Sequence, residues 1–154
     1  MASPNPTDFF AIKNTLSLYC IALDTKDFRL MEQVFTEDVD AKYPFAAMKG
    51  VRDVAETLQK RLAPVTSQHA LTTQTISIAA DGRSAEAVTY FTGVHFGQGK
   101  WKGEAATAWG KYVDTLALFE GKESLPGASG RWLISRREVM FMGRLGEQRV
   151  MEGE

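Results

Sequence analysis

At 154 residues, with 44% hydrophobic and 24% charged side chains and a net charge of −1, the chain has the size and balance of one globular domain. Its lysines and arginines are scattered, which argues against a nucleic-acid partner, and no apolar run approaches the roughly 18 residues needed to cross a bilayer. The start, Met1 to Asp8, lacks the basic and apolar regions of a secretory signal, so a cytoplasmic location is expected. A lone cysteine, Cys20, permits no internal disulfide and reads as a packed core thiol.

The first third reads as helix. Asn5-Pro6-Thr7-Asp8 has the form of an N-terminus, with Asn5 as cap, Pro6 at the first helical position and Asp8 in the first turn. Phe9, Ile12, Leu16, Tyr19 and Leu23 follow at spacings of three and four, one helical stripe. A second helical segment runs from about Asp27, with Phe28, Met31, Val34 and Phe35 on one face. After an extended piece, Val39 to Tyr43-Pro44, a third helix is predicted from Val51 to about Leu62, ended by Pro64.

From Thr66 the pattern turns to strand. Thr72 to Ile78 is rich in β-branched residues and reaches Asp81-Gly82, a hairpin signal. A return strand is predicted from Ser84 to Phe96, then a glycine-broken loop to Gly103, a long strand from about Ala105 to Phe119, a loop from Gly121 to Gly130 flexible by composition, and a last strand from Arg131 to Met142. In that last strand the apolar parity flips between Trp132/Ile134 and Val139/Phe141, which predicts a bulge near Arg136-Arg137. Helices first and strands later make the class α+β. The chain reads as one domain over 1–154, with 1–6 and about 146–154 expected to be disordered.

Only His69 and His95 carry side chains that titrate near neutrality without perturbation, and they lie on the two arms of the predicted hairpin. A strict two-residue turn sets His69 opposite Val94 and sends His95 to the other face. A bulge at Gly93 sets the two histidines opposite each other; a three-residue loop at Ala80-Asp81-Gly82 sets them diagonally on one face. The residues leave these registers open, and two unrelated histidines remain the alternative. Asp24 either caps the second helical segment or orients a histidine. Tyr19 and Tyr43 are the phenols nearest that end of the expected hollow, and both also suit a core. Of Arg136 and Arg137, which face opposite ways, one can enter the concave side, although most such arginines are solvated or paired. The tryptophans, Phe91 and Phe96 read first as core or pocket lining. Two histidines without nearby cysteines do not complete a zinc shell, Gly97 to Gly103 is no phosphate loop, and neither a metal nor a cofactor is implied.

These residues also carry a resemblance. Three helices followed by a bent sheet are similar to the nuclear-transport-factor-like cone of SnoaL-type polyketide cyclases, steroid isomerases and dehydratases, and most of all to scytalone dehydratase and its SnoaL-like relatives. Ala22-Leu-Asp24-Thr-Lys-Asp27-Phe28 resembles the family's Tyr-Asp-Ser-Lys-Asp-Trp stretch, Thr66-Ser-Gln-His69 its Thr-Gln-His, and Val94-His95 its second histidine. Tyr43 matches a tyrosine that binds a water at the substrate carbonyl. Gly110 to Asp114 and Arg131 to Arg136 resemble the generic SnoaL-like sheet. Leu23 stands where the dehydratase has a tyrosine, and Trp109 to Lys111 lacks its serine and asparagine, so scytalone itself is not the expected substrate.

The resemblance implies a cone-shaped, curved, mostly antiparallel sheet with three N-terminal helices enclosing a pocket. It also implies a cofactor-free dehydratase, isomerase or cyclase of secondary metabolism, acting on a polyketide- or terpenoid-like apolar molecule. Asp24, His69, His95 and Tyr43 are its expected catalytic residues, and Tyr19, Phe91, Trp109, Tyr112 and Arg136 its expected substrate-binding ones. His69, oriented by Asp24, would take a proton beside a carbonyl, while His95 and Tyr43 hold or protonate the oxygen. The rivals are an epoxide hydrolase-like enzyme and a non-catalytic ligand-binding or dimerising module of the same fold. A homodimer or homotrimer is expected from the outer sheet face.

Overall fold

The computed structural model describes residues 3–121 and 125–153. Helix α1 spans Pro6–Thr25, with the Asn5 side chain accepting from the Thr7 N–H and Pro6 at the start, where its missing N–H costs nothing. Lys26, in the left-handed region at φ 58°, ends it. Asp8 does more than complement the helix end: it is buried and accepts from both the Ser129 N–H and the Ser129 hydroxyl at 2.8 Å. Part of the loop expected to be flexible is thereby tied to α1, while its residues 122–124 lie outside the described ones.

The second helical segment is a short 3-10 helix, Phe28–Gln33, after which Phe35 opens a strand rather than extending a helical face. Strand β1 (Phe35–Tyr43) turns at Pro44-Phe45 into β2 (Ala46–Lys49), a hairpin the sequence did not announce because its turn carries no glycine or asparagine. Helix α2 (Val51–Leu62) buries Val54, Leu58 and Leu62. Strands β3 (Val65–Ile78), β4 (Ser84–Gly97), β5 (Ala105–Phe119) and β6 (Arg131–Gly146) form antiparallel neighbours. The six-stranded order is β2-β1-β6-β5-β4-β3, and β1 joins β6 in parallel.

Bulges bend this sheet around the helices. In β3, Thr72 and Thr73 face the single Tyr90 of β4. In β6, Ser135 is the extra residue opposite Thr115-Leu116, close to the predicted bulge. Helix α1 lies against β3 and β6, and α2 against β1, so the concave face is roofed and the core runs from Ile12 and Leu16 to Ile134 and Trp132, all essentially inaccessible. Within the segment expected to fray at the C-terminus, Gln148–Glu152 forms a 3-10 turn and Val150 is fully buried, while residue 154 lies outside the described ones. Among the described residues no helix is long and apolar enough to cross a membrane.

Candidate active site

The register decides the histidines. Around the turn, Ala79 pairs with Ser84 and Gly82 takes φ 70°; beyond the Thr72-Thr73 bulge, His69 faces Gly93 and His95 faces Ser67. The two imidazoles are therefore diagonal on one face, with centroids 5.5 Å apart and rings edge-on at 78°. The Gly93 bulge, one of the registers the residues left open, is absent. Glycine leaves the ring room there: a Cβ would sit 3.0 Å from His69 Cδ2 and 3.2 Å from Nε2, tighter than normal contact distance.

Asp24 does not cap the 3-10 helix. Near the end of α1, its carboxylate crosses to β3 and accepts three bonds: from the His69 ring at Nδ1 (2.7 Å), from the His69 N–H (2.9 Å) and from the Ser67 hydroxyl (2.9 Å). Burial raises the Asp24 pKa, but the ring, the amide, the charge of His69 and the Ser67 hydroxyl outweigh it, and the net shift is downward. An ionised carboxylate only accepts, so Nδ1 carries the proton and, in the neutral ring, Nε2 keeps its lone pair. Nε2 lies over Gly93 at the pocket wall.

The pocket, about 470 Å³ counted out through its open mouth, is lined by Tyr19 and Leu23 of α1, Leu58, Arg61 and Leu62 of α2, and Tyr43 with Phe45 at the β1 turn. The sheet contributes His69, Phe91, His95, Ala108, Tyr112, Val139 and Phe141. Phe91 and Tyr112 stack at 4.4 Å. His95 is held down to about 4, chiefly by burial and then by the neighbouring His69 and Arg61, with the Ala106 backbone and Asp24 acting weakly the other way. At neutral pH it is an uncharged imidazole.

At the deep end the Tyr19 and Tyr43 hydroxyls share a 2.7 Å hydrogen bond. Burial raises both phenols, Tyr19 the more, so both stay protonated. Behind them Arg137, fully buried, forks onto Asp114 at 2.7 and 2.8 Å and lies 4.3 Å from the Tyr19 ring and 4.1 Å from that of Tyr112. Its remaining nitrogen, Nη1, has no hydrogen-bond partner among the described residues, while its charge draws the Tyr43 pKa back down.

Two expected substrate-binding residues stand elsewhere. Trp109 is 38% exposed on the outer face of β5, because it is three residues from the inward Tyr112 and strand side chains alternate. Arg136 is exposed, and its neighbour Arg137 takes the inner side: past the extra residue Ser135 the odd-numbered residues turn inward. Asp24, His69, His95, Tyr43, Tyr19, Phe91 and Tyr112 do come together. Sequence reasoning passed over Ser67, Arg61 and Phe45. Ser67 shares the parity of His69, and Arg61 adjoins the Val54-Leu58-Leu62 stripe; Phe45 gave no signal. Cys20 is a buried core thiol, pushed up to about 12 by burial. Among the described residues no cluster of three or more histidines, cysteines or carboxylates is arranged to hold a metal ion.

A bent sheet roofed by helices around an apolar hollow is the cone fold. The SnoaL-like domain model matches residues 7–138, and the chain belongs to that family. Among solved structures, a protein assigned as a scytalone dehydratase from Novosphingobium aromaticivorans superposes with TM-score 0.74 at 19% identity, covering 92% of this chain and 88% of the other. Hexachlorocyclohexane dehydrochlorinase LinA-type3 from Novosphingobium barchaimii superposes with TM-score 0.74 at 11% identity, covering 92% and 91%. Aln2 from a Streptomyces species does so with TM-score 0.68 at 14%, covering 91% and 94%. At these identities the likeness establishes the fold alone. A search of the curated proteins gives no significant match.

Proposed function

We propose that this protein is an acid–base enzyme, a lyase or an isomerase/cyclase, that removes a proton from carbon next to a carbonyl or leaving group, using its own side chains. The observation that carries this reading is the Asp24–His69 pair: a 2.7 Å hydrogen bond holds a proton on Nδ1, so that in the neutral ring Nε2 is the accepting nitrogen at the wall of an apolar pocket. As Nε2 takes the proton, the imidazole gains a positive charge that Asp24 stabilises through the same bond, made stronger by the low dielectric. The electrons left on the substrate move toward its oxygen or expel a leaving group. Tyr43, whose proton can point inward when Tyr19 donates to it, is the donor suited to that oxygen. His95, being neutral at working pH, has one N–H and one accepting nitrogen, and the Ala106 backbone competes for that N–H, so it is a neutral polar neighbour of the substrate rather than a charged acid. Dehydration, dehydrohalogenation, isomerisation and aldol-type cyclisation share this first step, and a small polyketide- or terpenoid-like substrate suits the apolar lining.

The test is hydrogen–deuterium exchange at carbon in a panel of cyclic ketones and β-hydroxyketones, followed by NMR in D2O. His69→Ala and Asp24→Asn are expected to slow the catalysed exchange by about 10²–10⁴-fold. Equal exchange by wild type and both variants would leave a non-catalytic ligand binder as the better description.

A further inference from the structure

Arg61 lines this pocket and Arg144 lines the cavity beside it, and neither meets an acid among the described residues. The Arg61 guanidinium lies 3.8 Å over the Phe45 ring, and the Arg144 guanidinium lies 5.4 Å from the centroid of Phe141; both aromatic rings belong to the pocket wall. A side cavity joins Arg61, Arg144 and His95. Among the described residues Arg61 makes no hydrogen bond and no ion pair, and Arg144 has only a neutral partner, Gln148 at 2.8 Å. Arg29, Arg52, Arg83, Arg137 and Arg149 each meet a carboxylate; Arg131 and Arg136 also meet none among the described residues, but they are exposed and line no part of this pocket. Burial, and then Arg144, lower the Arg61 pKa, so the site as it stands disfavours its own charge. An arginine half-sunk in an apolar wall is stabilised once an anion arrives, and its planar fork matches a carboxylate.

We propose that the pocket mouth is a carboxylate subsite: Arg61, with Arg144 behind it, binds an acid group carried on an otherwise apolar substrate. The substrate is then an apolar carboxylic acid rather than a neutral molecule, anchored at the α2 end with its reactive carbon directed toward His69. Phe45 and Phe141 enclose the carbon skeleton next to the acid and keep water from the pair. This assignment rests on the pocket being the substrate site, but not on His69 acting as a base.

Calorimetric titration with 2-naphthoate and its neutral counterpart 2-naphthalenemethanol tests it. Wild type is expected to bind the acid at least about tenfold more tightly, the size of one charge-assisted contact. Arg61→Met, which keeps the packing, is expected to abolish that preference while leaving the alcohol's affinity unchanged; Arg61→Lys keeps most of it, and Arg144→Met weakens it. His69→Ala leaves the preference intact, so loss of exchange activity in that variant and loss of acid preference in Arg61→Met report on separate proposals. Equal binding of acid and alcohol by wild type, absence of saturable naphthoate binding, or an equal loss of both ligands in Arg61→Met overturns the subsite.

Discussion

Replacing Gly93 with alanine isolates the geometry of the His69 ring from the stability of the sheet. The new methyl group would stand 3.0 Å from Cδ2 and 3.2 Å from Nε2 of His69, whereas carbon contacts are comfortable at about 3.5–4.0 Å. Relief requires the ring to move by roughly half an ångström, away from a position that a 2.7 Å bond to Asp24 defines. Misplacement of a reacting group by about 1 Å costs about 10²-fold in rate, so half that shift predicts a loss of about tenfold. Overpacking costs about 1 kcal/mol or more, but alanine is favoured over glycine within a strand by about 0.5–1 kcal/mol, so the melting temperature is expected to change little. Gly143→Ala is the control, because a Cβ there meets nothing within 4 Å. Thermal melts with carbon-exchange kinetics, and the NMR signal of the His69 Nδ1 proton, read both sides. Wild-type exchange in Gly93→Ala, with an unshifted proton signal, would refute the reasoning; so would an equal loss of rate in Gly143→Ala.

Acid stability should report on His95. Its pKa is about 4 in the fold against about 6.5 when unfolded, so its contribution is complete above pH 6.5 and is lost as the pH falls toward 4, by up to about 3 kcal/mol; urea melts of wild type and His95→Gln over that window should converge as acid is added. Asp114→Ala strands the buried Arg137 charge and is expected to cost about 3–5 kcal/mol, whereas Asp114→Leu combined with Arg137→Met should recover much of it, measured by chemical denaturation. Asp8→Ala removes two bonds to Ser129 and should cost about 1–2 kcal/mol, with hydrogen exchange rising at the Ser129 amide while the Asp24–His69 bond persists.

Much of the scaffold is written locally. The α1 stripe, its Asn5-Pro6 start, the Asp81-Gly82 turn and the parity flip in β6 each follow from contacts within a few residues, and each forms as the sequence implies. Asp24 and His69 could be named, but Asp24 has a local alternative as a cap, and only the docking of α1 on β3 turns its carboxylate to the ring. Alternation along β5 was enough to exclude Trp109; the choice between Arg136 and Arg137 needed the bulge placed to the residue.

Side-chain type and periodicity thus determined which segments are helix or strand, and which residues bear the chemistry, because those depend on near neighbours along the chain. Tertiary structure alone decided that His69 and His95 share a face, that Arg137 meets Asp114 in the core and that Arg61 meets no acid among the described residues. The physical reason is that one extra residue, at Thr72-Thr73 or at Ser135, reverses the facing of everything beyond it, and the position of such a bulge is set by packing across the sheet rather than by the strand's own residues.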